Sequence, residues 1–293
     1  MGTNESDQID SLRERVEENW YEGNKVCSQC TVRDCDRGFR PAFGAFNSDA
    51  DVMLVGHTPG ETTYGDDNRH RLYLNHPDSS KEDSKYTSLM TRDRYERLIL
   101  QEEGDWGFFD DLRYLYGTEH NPGNSKLTPE RRPTLKPPRE TSYYTNFLKC
   151  SILSSDSKDI DSKEKSKIRN AGGYSACSRY FDKEVSIVEP EVILLFGKSV
   201  WNQFRSIYDI TEPRAYGKWK RVYLTDPGDN ILNVYTATIS TENISVIPLP
   251  HWGKAHLFYT NYHWYDDGGH AEYYSVVAEE VAKAAGKSSN LLR

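Results

Sequence analysis

The five cysteines of this 293-residue chain are the residues whose type and spacing most directly suggest chemistry. They are Cys27, Cys30, Cys35, Cys150 and Cys177. Cys27 and Cys30 form a C-x-x-C turn, which brings two thiolates to one ion or cluster. An odd number of cysteines in a chain with intracellular features argues against a disulfide framework. The stretches from Cys30 to Cys150 and from Cys150 to Cys177 are too long for a small zinc ribbon. We therefore expect a metal or cluster site that links distant parts of a folded domain.

Three further segments carry groups capable of chemistry, and two of them follow a short apolar run while the third lies within one. Residues 56–61 read Gly-His-Thr-Pro-Gly-Glu, in which the glycines permit close backbone approach to a ligand. Asn146 presents a hydrogen-bond donor and acceptor together on one carboxamide. His251 lies in the segment 248–256 and offers an imidazole, which can donate or accept a hydrogen bond. These groups are the candidate binding and catalytic residues.

The elements that must position these groups alternate between strand and helix. Strands are predicted at residues 51–55, 143–148, 191–196 and 244–249, and helices at 9–20, 173–188, 200–204 and 271–285. This order predicts a single domain over residues 1–293, an α/β fold with a three-layer α/β/α sandwich and a central, mainly parallel four-stranded sheet. The polar segment at about 62–138 is interpreted as a large insertion after the first strand. Gly56, Asn146, Gly197 and His251 fall near the carboxyl ends of strands, where such sheets form sites.

Composition sets limits on the partners and the location of the protein. The net charge is −8 and the mean hydropathy is −0.79. No apolar run approaches the roughly 20 residues that cross a bilayer, and the polar N-terminus is unlike a signal peptide. We therefore expect a soluble, cytoplasmic protein without a membrane partner. Residues 131–139 form a local basic, proline-rich loop, for which DNA contact and plain solvent exposure both remain open.

Together these motifs resemble the uracil-DNA glycosylase superfamily, and within it the family 4 enzymes, which carry a 4Fe-4S cluster. The resemblance spans about residues 26–257 and rests on the C-x-x-C turn, on Thr-Asn-x-x-Lys-Cys at 145–150, on 177–181 and on Pro-Glu-Val-Ile at 190–193. It implies a 4Fe-4S cluster held by four thiolates, with Cys35 left over. The implied ligands are Cys27, Cys30, Cys150 and Cys177. A zinc ion held by the same thiolates remains the alternative.

The resemblance also implies roles for the loop residues. Asn146 would read the edge of a flipped base, and His251, with His256 in reserve, would stabilise the departing base. The residues expected to line the base are Gly56, Thr58, Tyr64 and Tyr73, and those expected to orient the attacking water are His57 and Glu61, with Asp66 and Asp67 as weaker candidates. Three positions depart from the family pattern: His57 stands in place of glutamate, Thr58 in place of alanine and Trp252 in place of proline.

The activity that the resemblance implies is hydrolysis of an N-glycosidic bond in DNA, which leaves an abasic site without strand cleavage. The protein is expected to bind DNA as a monomer and to need no nucleotide cofactor. Two alternatives remain open. The base is either uracil or a bulkier modified pyrimidine, such as a glycosylated hydroxymethylcytosine of invading phage DNA, which would make the enzyme one of defence and not of repair. Alternatively, the chain is a cluster-bearing DNA-binding or redox-sensing protein without catalysis.

Overall fold

The fold is built from strands and helices that alternate along the chain. The computed structural model describes residues 4–22, 30, 37–39, 45–57, 63–64, 70–71, 110–117, 133–152, 167, 169–211, 232–251 and 269–293. The strands are β1 (Arg37–Phe39), β2 (Ala45–Phe46), β3 (Val52–Gly56), β4 (Thr63–Tyr64), β5 (His70–Arg71), β6 (Ser142–Asn146), β7 (Cys150–Ile152), β8 (Val192–Phe196), β9 (Asp209–Thr211), β10 (Tyr235–Ile239) and β11 (Glu242–Leu249). The helices are α1 (Glu5–Glu22), α2 (Asp110–Tyr116), α3 (Pro138–Thr141), α4 (Tyr174–Val188), α5 (Lys198–Ile207), α6 (Gly269–Ala284) and α7 (Ser288–Leu291). A wide helical turn, Arg169–Gly173, leads into α4.

The central sheet has seven strands in the order β2-β6-β3-β8-β11-β10-β9. The four strands from β6 to β11 run parallel to one another. Strands β3, β6 and β8 are buried along their whole length, as expected for strands covered on both faces. The three outer strands β2, β9 and β10 pair antiparallel. The predicted four-stranded parallel sheet is thus confirmed as the centre of a wider sheet.

Helices cover both faces of this sheet. Tyr143 and Thr145 of β6 each donate a 2.8 Å hydrogen bond to Glu184 of α4. Ser142 lies on the other face, since alternate strand residues point in opposite directions, and its Oγ is 2.7 Å from the hydroxyl of Tyr116 in α2. Helices α1 and α5 pack against α4, and α6 packs against α2. The three-layer arrangement predicted from the sequence is confirmed.

The amino ends of the parallel strands are held together by the C-terminal part of the chain. Lys287 forms ion pairs with Asp51, which precedes β3, at 2.5 Å, and with Glu191, which precedes β8, at 3.5 Å. Leu135 is fully buried and pairs with Leu292 in an antiparallel bridge. This amino edge of the sheet therefore consists of packing and ion-pair contacts.

The described part of the basic segment 131–139 belongs to the same amino edge. Residues 133–141 lead into the first residue of β6, and the backbone N–H of Lys136 donates to the carbonyl of Leu291 at 2.9 Å. Lys136 and Arg139 therefore lie at the edge opposite to Asn146, which ends β6. The interpretation of this loop as a DNA contact is not supported for these two residues, and Arg131 and Arg132 lie outside the described residues.

The segment proposed as an insertion lies largely outside the described residues. Its last part contributes to the fold, because Leu112, Leu115 and Tyr116 of α2 and then Leu135 belong to the hydrophobic core. None of the helices that the structure describes combines the length and hydrophobicity that a bilayer-spanning segment needs.

Candidate functional site

The ends of β3 and β6 are joined side by side at the carboxyl edge of the sheet. Gly56 and Asn146 are register partners at the last position of the two strands. The ladder continues into the loops, since the N–H of Phe147 donates to the carbonyl of Gly56 at 2.9 Å and that of Leu148 to the carbonyl of His57 at 3.1 Å. The backbone of the His57 loop is thereby fixed directly beside Asn146.

The ends of β8 and β11 form a second pair at the same edge. The N–H of Gly197 donates to the carbonyl of Leu249 at 2.8 Å. Gly197 has φ +99°, a conformation open in practice only to glycine, and a Cβ there would lie 3.2 Å from Cβ of His251. Glycine at this position lets the half-buried His251 pack against the backbone from which α5 begins.

These two pairs meet at the point where the chain reverses its direction of winding. The connection after β3 leads to β6 on one side, and the connection after β8 leads to β11 on the other side. Open α/β sheets bind ligands in the crevice that such diverging loops create. Neighbouring strands are about 4.8 Å apart, so three strand steps set Asn146 and His251 roughly 14 Å apart at the backbone, a span that one base and two side chains can fill.

Asn146 is held from its side chain and from its main chain. It is 2% exposed, and its Oδ1 accepts a 3.3 Å hydrogen bond from the hydroxyl of Tyr144, two residues earlier on the same strand. Its main-chain carbonyl accepts a 2.6 Å bond from Nζ of Lys149. The backbone that carries the carboxamide is therefore fixed. A group that recognises the edge of a ligand needs such a fixed position.

A buried ion pair lies directly behind Asn146. Lys149 is 3% exposed and Glu184 is fully buried, and the two side chains are joined as a salt bridge. The ammonium also donates to Oγ1 of Thr145 at 2.8 Å and to the carbonyl of Asn146, which uses all three of its N–H groups. The carboxylate accepts from Tyr143 and Thr145. Every charge in this network is satisfied, which is the condition under which a buried pair is tolerated.

His57 contacts a residue that the sequence did not single out. Its Nε2 is hydrogen-bonded to the hydroxyl of Tyr174, the first residue of α4, which is 3% exposed. The two rings lie 5.6 Å apart between centroids, and Tyr174 also packs against Phe147 at 5.7 Å. The half-buried imidazole is thereby oriented from the side of α4.

Two contacts of described elements lie close in sequence to the cysteines. Cys150 begins β7, whose backbone pairs with Phe39 of β1, four residues after Cys35. Cys177 lies in the first turn of α4, and Nδ2 of Asn19 near the end of α1 donates to the hydroxyl of Tyr180, three residues further on, at 3.0 Å. This contact sets the end of α1 beside the first turns of α4, which bear Cys177.

The donor chemistry of these cysteines fits an iron–sulfur cluster, for which four thiolates are the usual ligands. Cys30 and Cys177 are buried. No three metal-ligand side chains gather among the residues that the structure describes, which do not include Cys27 or the side chain of Cys150. The four-cysteine site stays a prediction.

The remaining predicted residues fall where the structure gives no account of their side chains. Thr58, Glu61, Asp66, Asp67, Tyr73, Trp252 and His256 lie outside the described residues, and of Tyr64 only the backbone, in β4, is described. The sequence contains a signal for two residues behind the site. Lys149 lies within the Thr-Asn-x-x-Lys-Cys motif, and Glu184 is a charged residue seven positions after Cys177 on the apolar stripe of α4, where a buried partner is expected.

The chain matches a known protein family. A family model described as the uracil DNA glycosylase superfamily matches residues 43–255, which is more than half of the chain. The match contains Gly56, Asn146, Gly197 and His251, whereas Cys27 and Cys30 precede it. No curated protein matches the chain in a sequence comparison.

Proposed function

Because this chain belongs to the uracil DNA glycosylase superfamily, a family of DNA glycosylases, we propose that it extrudes a non-canonical pyrimidine from DNA and hydrolyses its N-glycosidic bond. The product is an abasic site. The observation that carries this proposal is the presence of Asn146 and His251 at one carboxyl edge of the sheet, on either side of Gly56 and Gly197.

Recognition of the base is assigned to Asn146. Its carboxamide can donate to a ring carbonyl and accept from a ring N–H, which is the edge that uracil presents. The hydroxyl of Tyr144 on Oδ1 and the ammonium of Lys149 on the main-chain carbonyl support a fixed orientation of this group. With its amide flipped, the same carboxamide can read the edge of another pyrimidine, because the Tyr144 hydroxyl can accept as well as donate. An edge that matches neither orientation would be costly in a buried site.

Stabilisation of the departing base is assigned to His251. As the glycosidic bond breaks, negative charge develops on the base oxygens, and an N–H held in place beforehand lowers the energy of that state. His251 packs against Gly197, from which the ten-residue helix α5 begins. The partial positive charge of a helix N-terminus favours an anion at the same place.

Activation of water is assigned to the loop after β3. Thr58 cannot act as a general base near neutral pH, so the role of orienting the nucleophile is assigned to His57 or Glu61, with a backbone carbonyl as the alternative. His57 is fixed by Tyr174 and by the bond from Leu148 to its carbonyl. Water then adds to the sugar carbon as the base leaves, and its proton passes to the residue that orients it.

Strand cleavage is not part of the proposed reaction. A glycosylase that also cuts the strand uses an amine that forms a Schiff base with the sugar. Lys149 is adjacent to Asn146, but its three N–H groups are occupied by Thr145, Asn146 and Glu184. Hydrolysis by water is the reaction that these contacts favour.

A 4Fe-4S cluster held by Cys27, Cys30, Cys150 and Cys177 is proposed as a structural group, as in the family 4 enzymes. When bound, it would brace the loops near the site and would supply no electrons, since hydrolysis moves none. Iron and sulfide should be found in the purified protein, with visible absorbance from iron–thiolate charge transfer. Colourless protein that contains stoichiometric zinc would overturn this assignment.

The test of the function is mass spectrometry of bases released from DNA. Uracil-containing DNA and DNA with bulky modified pyrimidines are incubated side by side with the wild type and with the Asn146→Ala and His251→Ala variants. We expect the rate of base release by His251→Ala to be lower than that of the wild type by about 10²-fold or more. Release of uracil indicates repair, whereas selective release of a bulky base is the result expected of a defence enzyme. Binding of DNA by the wild type without release of any base would reject catalysis.

A further inference from the structure

Tyr174 is a buried tyrosine whose hydroxyl meets the residue that replaces the family's glutamate. It begins α4, is 3% exposed and bonds to Nε2 of His57. His57 lies one residue beyond β3, at the edge where Asn146 ends β6. The contact therefore joins the loop assigned to water activation with the helix on one face of the sheet.

The position of this hydroxyl does not depend on His57. The Tyr174 ring packs against Phe147 at 5.7 Å, and Phe147 packs in turn against Phe181 at 5.0 Å. Phe147 is fully buried and its backbone N–H is bonded to the carbonyl of Gly56. The phenol is thus fixed by core packing, and the imidazole is the partner whose orientation the bond determines.

In a neutral imidazole, a hydrogen bond at one ring nitrogen affects what the other nitrogen can do. One ring nitrogen carries a proton and the other carries a lone pair, and the hydrogen bond made by one nitrogen decides the role of the other. Nε2 of His57 is directed to Tyr174, so a proton from water can be accepted only at Nδ1. The Tyr174 hydroxyl can either donate to Nε2 or accept from it. Acceptance of the water proton at Nδ1 requires the second arrangement, in which the neutral ring carries its proton on Nε2 and donates it to the oxygen of Tyr174.

We propose that Tyr174 is a positioning residue that holds His57 as the Nε2-protonated tautomer, with Nδ1 as the acceptor toward the attacking water. This inference rests on the proposed function, because it assigns the water-activating role to His57 in preference to Glu61. Tyr174 touches neither base nor sugar in this scheme and acts through the imidazole alone. Its removal should affect the chemical step more than the binding of DNA.

The test combines a spectroscopic readout with kinetics. Nitrogen-15 NMR of histidine-labelled full-length protein reports which ring nitrogen of His57 is protonated, with the signal assigned by its loss in His57→Ala. We expect the Nε2–H form in the wild type and a mixture of tautomers in Tyr174→Phe, which retains the ring packing. Tyr180→Phe is the matched control, because it removes another buried hydroxyl of α4 whose partner is Asn19.

In single-turnover assays with saturating protein, the rate constant of base release by Tyr174→Phe should fall about tenfold, the value of one ordinary hydrogen bond, with little change in the protein concentration that gives half the maximal rate. His57→Ala should lose about 10²-fold or more. Tyr180→Phe should retain both the tautomer and the rate. A predominant Nδ1–H form in the wild type, or wild-type release by His57→Ala, overturns the inference while leaving the glycosylase function intact. If the wild type releases no base, the proposed function fails, and with it the water-activating role of His57.

Discussion

Replacement of Lys149 by methionine tests whether the buried network behind Asn146 stabilises the fold. The substitution keeps the length of the side chain and removes its charge. It leaves the carboxylate of Glu184 fully buried, with only Tyr143 and Thr145 as donors, each at 2.8 Å. It also leaves the main-chain carbonyl of Asn146 without the 2.6 Å bond from Nζ.

The expected magnitude follows from these contacts. Removal of one partner of a buried pair costs about 3–5 kcal/mol, because the other charge stays in a medium of low polarity. The two remaining donors to Glu184 place the cost near the lower limit, at about 3 kcal/mol. With an unfolding entropy of about 2.1 cal/mol/K per residue, this corresponds in a 293-residue protein to a fall in Tm of roughly 5 °C. The neutral double variant Lys149→Met/Glu184→Gln should be less destabilised than the sum of the single variants, by about 2 kcal/mol.

The assay is urea and thermal unfolding followed by circular dichroism. The matched control is Lys283→Met, which breaks an exposed pair with Glu280 at 2.6 Å in which the lysine is 63% exposed. Such a pair contributes about 0.2–1 kcal/mol, since water screens both charges. If Lys149→Met costs no more than Lys283→Met, or if the two single effects simply add, the buried network does not stabilise the fold as described.

The remaining predictions concern a glycine and a carboxylate. Gly197→Ala should cost about 2–3 kcal/mol and reduce base release, because φ +99° is unfavourable for alanine and the new Cβ meets His251; Gly286→Ala, at φ +65° with nothing within 4 Å, should cost about 1 kcal/mol and leave base release unchanged. Equal effects of the two alanines on base release would contradict the assigned role of Gly197. Burial raises the pKa of the Asp182 carboxyl more than the 2.6 Å bond from Tyr208 lowers it, so the folded state holds this proton more tightly than the unfolded chain does. Stability of the wild type should therefore fall relative to Asp182→Asn as the pH rises from about 4 to 7, measured by urea midpoints, and a constant difference would count against this account.

The sequence predicted the centre of the fold because each parallel strand is a short apolar run near a glycine or a polar turn. The sequence predicts a strand over residues 143–148, whereas β6 ends at Asn146 in the structure. Phe147 and Leu148 prolong the apolar run, yet they belong to the loop, where their N–H groups reach the carbonyls of Gly56 and His57. Hydrophobicity alone does not distinguish a strand from a buried loop of this kind.

The antiparallel strands β2, β9 and β10 were missed for different reasons. In β10 the residues Tyr235, Ala237 and Ile239 are buried and the threonines between them are exposed, an alternation that the sequence displayed. Strands β2 and β9 have two and three residues, too few for any pattern. Their existence depends on pairing with neighbours that only the folded chain supplies.

The sequence predicts where three of the candidate residues lie in the sheet, but it does not predict the contacts that support them. Gly56, Asn146 and His251 were expected at the carboxyl ends of strands, and the structure places them there. The contact of Tyr174 with His57 could not be anticipated, since it depends on the residue at which α4 begins and the chain contains 20 tyrosines. The approach of His251 to Gly197 depends in the same way on two loops that are distant in sequence.

The amino edge and the carboxyl edge of the sheet have different roles. Lys287, Asp51 and Glu191, with the bridge of Leu135 to Leu292, tie the strands together at the edge remote from Asn146 and His251. Substitutions at that edge can change the stability of the fold without changing the selectivity of the proposed site at the other edge. At the opposite edge, the connections after β3 and β8 lead to strands on opposite sides of the sheet, so the proposed base-binding crevice can change with these connections while the strands beneath it stay the same.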